Sequence, residues 1–214
     1  RLRVYPTKNN KPYHSQIYSP AFWWVFYWSK HMSNLIYKNT NATRNKPITR
    51  TLFGSISYAI YLVFGPDYYA HIYSGGQDRR GKGAKRIGSV RHDDYGKGGK
   101  AADIYVYNKD GVKLAGVDLA PLAQYWLAMK LGAVGIEMNR GGVHLDEWVK
   151  PPKGGSMHWN YRKDWKQPTH EFNTQRQAIA DGVSGIIPPL YQPPKQSPWA
   201  GIFKAIAGIF RSKT

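Results

Sequence analysis

The apolar positions of TLFGSISYAIYLVFG (51–65) recur at helical spacing, with Leu52, Phe53, Ile56, Ile60, Val63 and Phe64 on one face and Gly65-Pro66 as a stop. This pattern predicts a helix over 51–65. Tyr68 to Tyr73 is short, aromatic and bounded by Gly75-Gly76, as suits a strand entering a tight loop. ADIYVYN (102–108) alternates, and Asn108-Lys109-Asp110-Gly111 reads as a hairpin-type turn into Val112-Lys113-Leu114. Helical spacing returns in LAPLAQYWLAMKLGA (119–133), with Pro121 in its first turn and Gly132 near its end. Two short strands, around 134–138 and 142–146, complete the unit. The expected fold class is therefore α+β: a small antiparallel sheet with flanking helices and irregular N- and C-terminal arms.

The flanks read differently. Residues 1–50 are interrupted by Pro6, Pro12, Pro20 and Pro47 and by the polar run Asn39-Thr40-Asn41-Ala42-Thr43, which marks a basic, aromatic N-terminal extension. Within it AFWWVFYW (21–28) spans eight residues, against the roughly 20 needed to cross a bilayer, so a buried anchor is expected and no transmembrane segment. Nor is a secretory leader expected, since the first residues are polar and no small-residue cleavage pattern follows an apolar run. The stretch 77–100 is rich in Gly, Lys and Arg and reads as a long loop. Beyond 149, Pro151-Pro152, Gly154-Gly155, Pro188-Pro189 and Pro193-Pro194 divide the chain into short pieces. The expected organisation is an extension over 1–50, a core over 51–150, and a Pro-rich arm over 151–214. That arm ends in an amphipathic helix carrying Trp199, Ile202, Phe203, Ile206, Ile209 and Phe210 on one face.

Composition narrows the partners. A hydrophobic fraction of 42% is enough for a core, and the absence of cysteine excludes disulfides, thiolate metal sites and Cys nucleophiles. A net charge of +18 predicts attraction to polyanions. Its distribution is uneven: residues 1–50 carry nine Lys and Arg and no acid, whereas 67–147 hold ten of the thirteen Asp and Glu. A nucleic-acid binder would place basic and aromatic residues at its working surface. Here the acids sit with the candidate chemistry, so nucleic acid is not the expected partner, and an anionic cell-wall polymer fits the basic ends better.

That chemistry rests on His92, Asp103 and His144. His92 and Asp103 flank the glycine-rich loop, and Asp103 and His144 each stand at the start of a predicted strand, where a ligand is held firmly. Two imidazoles and one carboxylate can hold Zn²⁺ with a coordination position left for water, whereas a closed structural site would want a fourth protein ligand, usually a thiolate. His14, His31, His71, His158 and His170 have no such setting.

The stretch from about 70 to 148 contains YSGGQ (73–77), RIGSVRHDDYGKGGKAADIYVYNKDG (86–111), LAPLAQYWLAMKLGAVGIEM (119–138) and GGVHLDEW (141–148). It resembles peptidase family M15, the D-Ala-D-Ala carboxypeptidases and phage L-alanyl-D-glutamate endolysins, whose fold is shared with the hedgehog signalling domain. The resemblance implies a zinc site made by the His and Asp of an S-x-H-x-x-G-x-A-x-D type motif and by a later His, here His92, Asp103 and His144, with Ser89 near the family serine. Two departures stand out. The step from His92 to Asp103 is eleven rather than the usual seven, consistent with an insertion in the DYGKGG loop. Many relatives also carry a Glu three residues before the last His, a position held here by Gly141.

A general base must then come from elsewhere. Glu137 lies on the strand before the glycine turn; Asp146, two residues after His144, shares its strand face; a site with no competent base is the third possibility. Glu147 points the other way on that pattern. Arg86 and Arg91 are candidates for a substrate carboxylate, with solvated loop charges as the alternative, and Gln77 either contacts substrate or orients a ligand. Trp126, Trp148 and Trp159 are cleft walls or core. The function implied is a zinc-dependent peptidoglycan peptidase on a phage particle, with the tail as its expected place, docked to other virion proteins through its arms and acting at the host wall. The alternative is a non-catalytic structural or wall-binding virion protein that retains the fold.

Overall fold

The computed structural model describes residues 34–79, 89–138, 141–150, 155–161 and 169–193, with the backbone alone described at 137 and 138. Among these residues eight strands form in chain order: β1 (Leu35–Tyr37), β2 (Tyr68–Ser74), β3 (Gln77–Asp78), β4 (Asp93–Asp94), β5 (Ala101–Asn108), β6 (Val134–Met138), β7 (Gly142–Asp146) and β8 (His158–Asn160). Among the described residues three α-helices accompany them: α1 (Arg50–Phe64), α2 (Ala120–Ala128) and α3 (His170–Val183). Six strands make one sheet in the order β1-β2-β5-β7-β6-β8, and β3 pairs with β4 apart from it. The fold is mixed α+β.

Helix α1 begins where the Thr49 hydroxyl accepts from Leu52 N, and it stops at Gly65, which has φ 95°. Its apolar stripe buries Leu52, Ile56, Ile60 and Val63. Alternation in the strands supplies the other half of the core. Ala102, Ile104 and Val106 of β5, Val143 and Leu145 of β7, and Val134 and Ile136 of β6 are buried in one cluster with α1 and with Leu122 and Trp126 of α2. Because the side-chain period is two, Asp103 and His144 are sent to the opposite face, where they sit directly across from each other in the β5–β7 register.

The structure departs from the expected organisation in several places. The sheet is not wholly antiparallel: β1 runs parallel to β2, and β8 runs parallel to β6. Part of the stretch expected as an extension belongs to the sheet, since β1 pairs with β2, and Leu35 and Ile48 are buried in the core. Likewise β8 and α3 come from the stretch expected as an arm. Helix α3 buries Gln175, Ala178 and Gly182 rather than an apolar stripe, and a Cβ on Gly182 would lie 2.7 Å from the Gln124 carbonyl oxygen of α2. The helix expected over 119–133 ends at Ala128, because the chain turns at Lys130 (φ 53°) and at Gly132 (φ 153°) to run against β7. Only glycine fits at 132, where a Cβ would stand 1.8 Å from Asp146 O. The 77–100 stretch, expected as loop, contains β3, β4 and a 3-10 turn over Val90–His92. The aromatic run 21–28 and the amphipathic helix over 198–214 lie outside the described residues. Among the described residues no helix is long and apolar enough to cross a membrane.

Three backbone segments converge beneath His92. Lys46 and Gly76 exchange N–H to O bonds at 3.0 and 2.7 Å, Gly99 N donates to Pro47 O at 2.9 Å, and Thr49 N donates to Gly99 O at 3.0 Å. A Cβ on Gly99 would meet the Gly76 Cα at 2.3 Å, with backbone that cannot step aside. Gly99→Ala is therefore expected to destabilise the fold by about 2 kcal/mol or more through overpacking. A urea midpoint equal to that of the parent protein would contradict this packing.

Candidate metal centre

His92 enters the site from the 3-10 turn, which Ser89, the residue just before it, caps by accepting from Arg91 N. Gln77 steadies that turn: its Nε2 donates to Ser89 O at 2.6 Å, and its strand β3 pairs with β4 just after His92. Gln77 is thus placed to orient a ligand rather than to line a pocket. The eleven-residue step from His92 to Asp103 is taken up by a loop folded on Asp94, whose Oδ1 accepts from Gly96 N at 2.7 Å and Gly98 N at 2.8 Å.

The three expected ligands come together. His92 and Asp103 are fully buried, His144 is 2% exposed, and one ligand atom from each can be chosen so that all lie within 4.8 Å of one another. His144 Nδ1 is 2.7 Å and His92 Nε2 is 3.4 Å from the same Asp103 oxygen, Oδ1. The other oxygen, Oδ2, lies 3.1 Å from Arg44 Nη1.

Hydrogen bonding fixes the state of His92. Its Nδ1 stands 2.8 Å from Gly75 O, which can only accept, so Nδ1 carries the proton. Burial pushes the imidazolium down more strongly than Asp103 holds it up, leaving the ring neutral. Its Nε2 lone pair therefore faces the Asp103 carboxylate, and this buried nitrogen has no hydrogen-bond partner. A lone pair and a carboxylate oxygen pointed at each other call for a cation between them. The donor set fits a divalent metal ion.

His144 sits between two carboxylates, with Nδ1 toward Asp103 and Nε2 3.3 Å from Asp146 Oδ2. Burial opposes its charge, but the two carboxylates prevail and raise it above the ordinary imidazole value. Burial likewise opposes ionisation of Asp103, yet the flanking imidazoles hold its carboxyl far below the usual carboxylate range. For metal binding the natural arrangement is Nδ1 toward the ion and Nε2–H on Asp146, the carboxylate–histidine pairing that fixes tautomer and ring orientation.

Asp146 is one candidate base, and its oxygens are occupied. Oδ2 accepts from Arg91 Nη1 at 2.5 Å and faces His144, while Oδ1 accepts from Ala133 N at 2.8 Å and Trp148 N at 3.1 Å. Burial works against its ionisation, and these partners outweigh burial to lower its pKa. Such a carboxylate is a poor proton acceptor and a good positioning group. Glu137 belongs to β6, at the irregular register between Ile136 and Met138, and its side chain lies outside the described residues. Arg86 lies outside them too. Gly141, with φ 111° and a would-be Cβ 2.8 Å from Leu114 O, could not take a Glu without strain. Glu147 instead accepts from the Thr49 hydroxyl at 3.0 Å, anchoring the start of α1.

A pocket of 350 Å³ opens on the two imidazoles, with Arg44, Arg91, Trp159 and Tyr161 among its walls. Arg91 is no loop charge. It is 6% exposed, donates from Nη2 to Ser156 O at 2.6 Å, and lies 4.9 Å over the Trp159 ring. Trp159 also packs against His144, whereas Trp126 is core and Trp148 donates from Nε1 to Arg91 O. Withdrawal of its hydroxyl from solvent pushes Tyr161 up to about 12, so it stays an O–H donor. Arg44 is the site residue that sequence reasoning missed. Its position in a basic, proline-broken stretch hid it, and the signal that could have found it is the short apolar run Leu35-Ile36-Tyr37, which marks the chain as already in the sheet.

Asp146→Asn keeps the Oδ1 acceptor but removes the charge that holds His144 and Arg91, and is expected to weaken binding of a divalent metal ion about 10- to 100-fold in a chelating-dye competition. Unchanged affinity would contradict the positioning role. A proton on His144 and a metal ion compete for the same Nδ1 lone pair, and that proton is held above the ordinary 6.5. Metal affinity is accordingly expected to climb as pH rises through the imidazole range and beyond, with proton release on binding, and a flat profile in the same competition would count against it. Comparison with family models, with curated proteins and with solved structures finds no match to the chain.

Proposed function

We propose that this chain is a zinc-dependent peptidoglycan peptidase of the M15 type, carried on a phage particle and cleaving a peptide bond of the wall stem peptide or cross-link. The observation that carries the reading is the buried His92–Asp103–His144 cluster with an unpartnered Nε2 at the floor of an open pocket. Two imidazoles and one carboxylate leave a coordination position open, the pattern of a catalytic rather than a structural zinc site.

When bound at such ligands, zinc supplies a water of lowered pKa and polarises a carbonyl group. The chain's own residues do the rest. His92, fixed by Gly75 O, and His144, fixed by Asp146, direct Nε2 and Nδ1 toward the same Asp103 oxygen. Trp159 and Tyr161 line the pocket and limit water around the substrate, with Tyr161 offering an O–H to a carbonyl oxygen. Glu137 is the residue we assign as proton acceptor, since Asp146 has its oxygens engaged; its strand neighbour Gly135 pairs with His144. The net charge of +18 favours an anionic wall, and the arms are assigned to docking on other virion proteins.

A second reading, a wall-binding virion protein without activity, is favoured by Gly141 and by the saturation of Asp146. One experiment separates them. The purified protein is expected to contain about one zinc per chain and to release peptide fragments from peptidoglycan, with His144→Ala losing both metal and digestion. Zinc without digestion would support the second reading, and neither zinc nor digestion would remove the metal site from both.

A further inference from the structure

The sheet face that carries the metal centre continues as an aromatic surface. On that face β2 bears Tyr69, His71 and Tyr73, and β5 bears Tyr105 and Tyr107 beyond Asp103. All five are half-buried, while their strand neighbours Ala70, Ile72, Ile104 and Val106 fill the core on the other side. The register sets Tyr107 across from Tyr69 and Tyr105 across from His71. Tyr105 stands about 7 Å along the strand from Asp103. An antiparallel face turned to solvent ordinarily carries polar and charged side chains. Here rings hold the alternate positions of two adjacent strands, and none of the five is a carboxylate.

The rings pack mainly on one another. Tyr69 and Tyr107 stack at 5.5 Å and 14°, His71 lies 4.7 Å from Tyr107, Tyr73 lies 5.1 Å from Tyr105, and Lys113 Nζ sits 4.7 Å over the Tyr105 ring. Stacking of nucleic-acid bases needs open ring faces, and these faces are turned on each other or covered. What remains for a ligand is ring edges and phenol hydroxyls, the tyrosine atoms farthest from the strand, each able to donate and to accept. Burial and the nearby Lys38 hold His71 below the ordinary imidazole value, so at neutral pH it too is an uncharged donor and acceptor. Neutral hydroxyls set among apolar ring edges match the mixed hydroxyl and C–H surface of a sugar chain.

A pocket of 350 Å³ admits a short peptide, whereas a wall stem peptide hangs from a sugar strand that must lie on the protein outside that pocket. We propose that the β2–β5 aromatic surface binds this strand, a chain of β-linked N-acetylated amino sugars, with Tyr105 and Tyr107 as contacts and the adjoining metal centre turned to the peptide. The choice of wall as substrate rests on the function proposed above.

The probe is the N-acetylglucosamine hexamer, which carries no peptide, titrated calorimetrically into the full-length protein with and without zinc. Binding is expected in both conditions. Replacing Tyr105 and Tyr107 together by Ala should weaken it about tenfold or more, the loss typical of truncated tyrosine contacts. Replacing both by Phe keeps the ring packing and removes the hydroxyls; it should weaken binding while the thermal midpoint and zinc content hold. If the Ala pair lowers the midpoint, the Phe pair decides. No binding by the parent protein, or binding unchanged in the Phe pair and in a folded Ala pair, would overturn the proposal and leave the rings as braces of the sheet. An oligothymidylate that binds more tightly than the hexamer and is lost in the same variants would also overturn it, in favour of nucleic acid. Hexamer binding that depends on the two tyrosines, in a protein that releases no peptide from peptidoglycan, would uphold this surface and sink the peptidase reading alone.

Discussion

Asp103 is a carboxylate with no exposure to water, and the rest of the site is arranged around keeping it ionised. An isolated buried charge of this kind would cost several kcal/mol, and would take up a proton instead. Each of its two oxygens meets positive or polar hydrogen: Oδ1 faces His144 Nδ1, and Oδ2 faces Arg44. The pairing of β5 with β7 brings His144 across from it, and the glycine-packed crossing of the segments around 46, 76 and 99 brings His92. A one-residue slip of β5 would send Asp103 into the apolar core and Ile104 onto the site face.

Outside this centre a second charged pair repeats the theme. Asp146 and Arg91 are both buried, and Asp146 closes on His144 from the side away from Asp103. Two guanidinium groups and two carboxylates cancel, so the charge of the cluster is set by the protons on the two imidazoles. A divalent ion there takes the place of the positive charge that His144 otherwise carries. The low polarity around the cluster makes such exchanges expensive unless every partner is present, which explains why Asp146 has so many.

Much of this is legible in the sequence. The helical stripe of 51–65 and the alternation of 102–108 identify core and site face, and the two histidines with Asp103 stand out as the residue types able to share a cation. What is not legible follows from physical causes. Arg44 contributes a charge across a sheet, a contact between residues fifty-nine positions apart that leaves no local spacing. The strand period places Asp146 on the face of His144, but its role depends on Arg91, Ala133 and Trp148, partners that only the fold collects. Helix α3 is hidden because it docks through Gln175, Ala178 and Gly182, small and polar groups that give no hydrophobic period. The early end of α2 is hidden because Gly132 is dictated by the passage of β7 rather than by a helix cap.

Strand β8 is three residues long and lies at the edge of the sheet, yet it sets Trp159 against Gly135, where any side chain would collide with the indole. The ligand cluster is complete once residue 144 is in place; the wall that stands over it arrives only with residues 155–161. The three cluster residues and the wall over them are therefore supplied by separate stretches of chain, so the shape of the pocket can change through residues 155–161 while His92, Asp103 and His144 stay as they are.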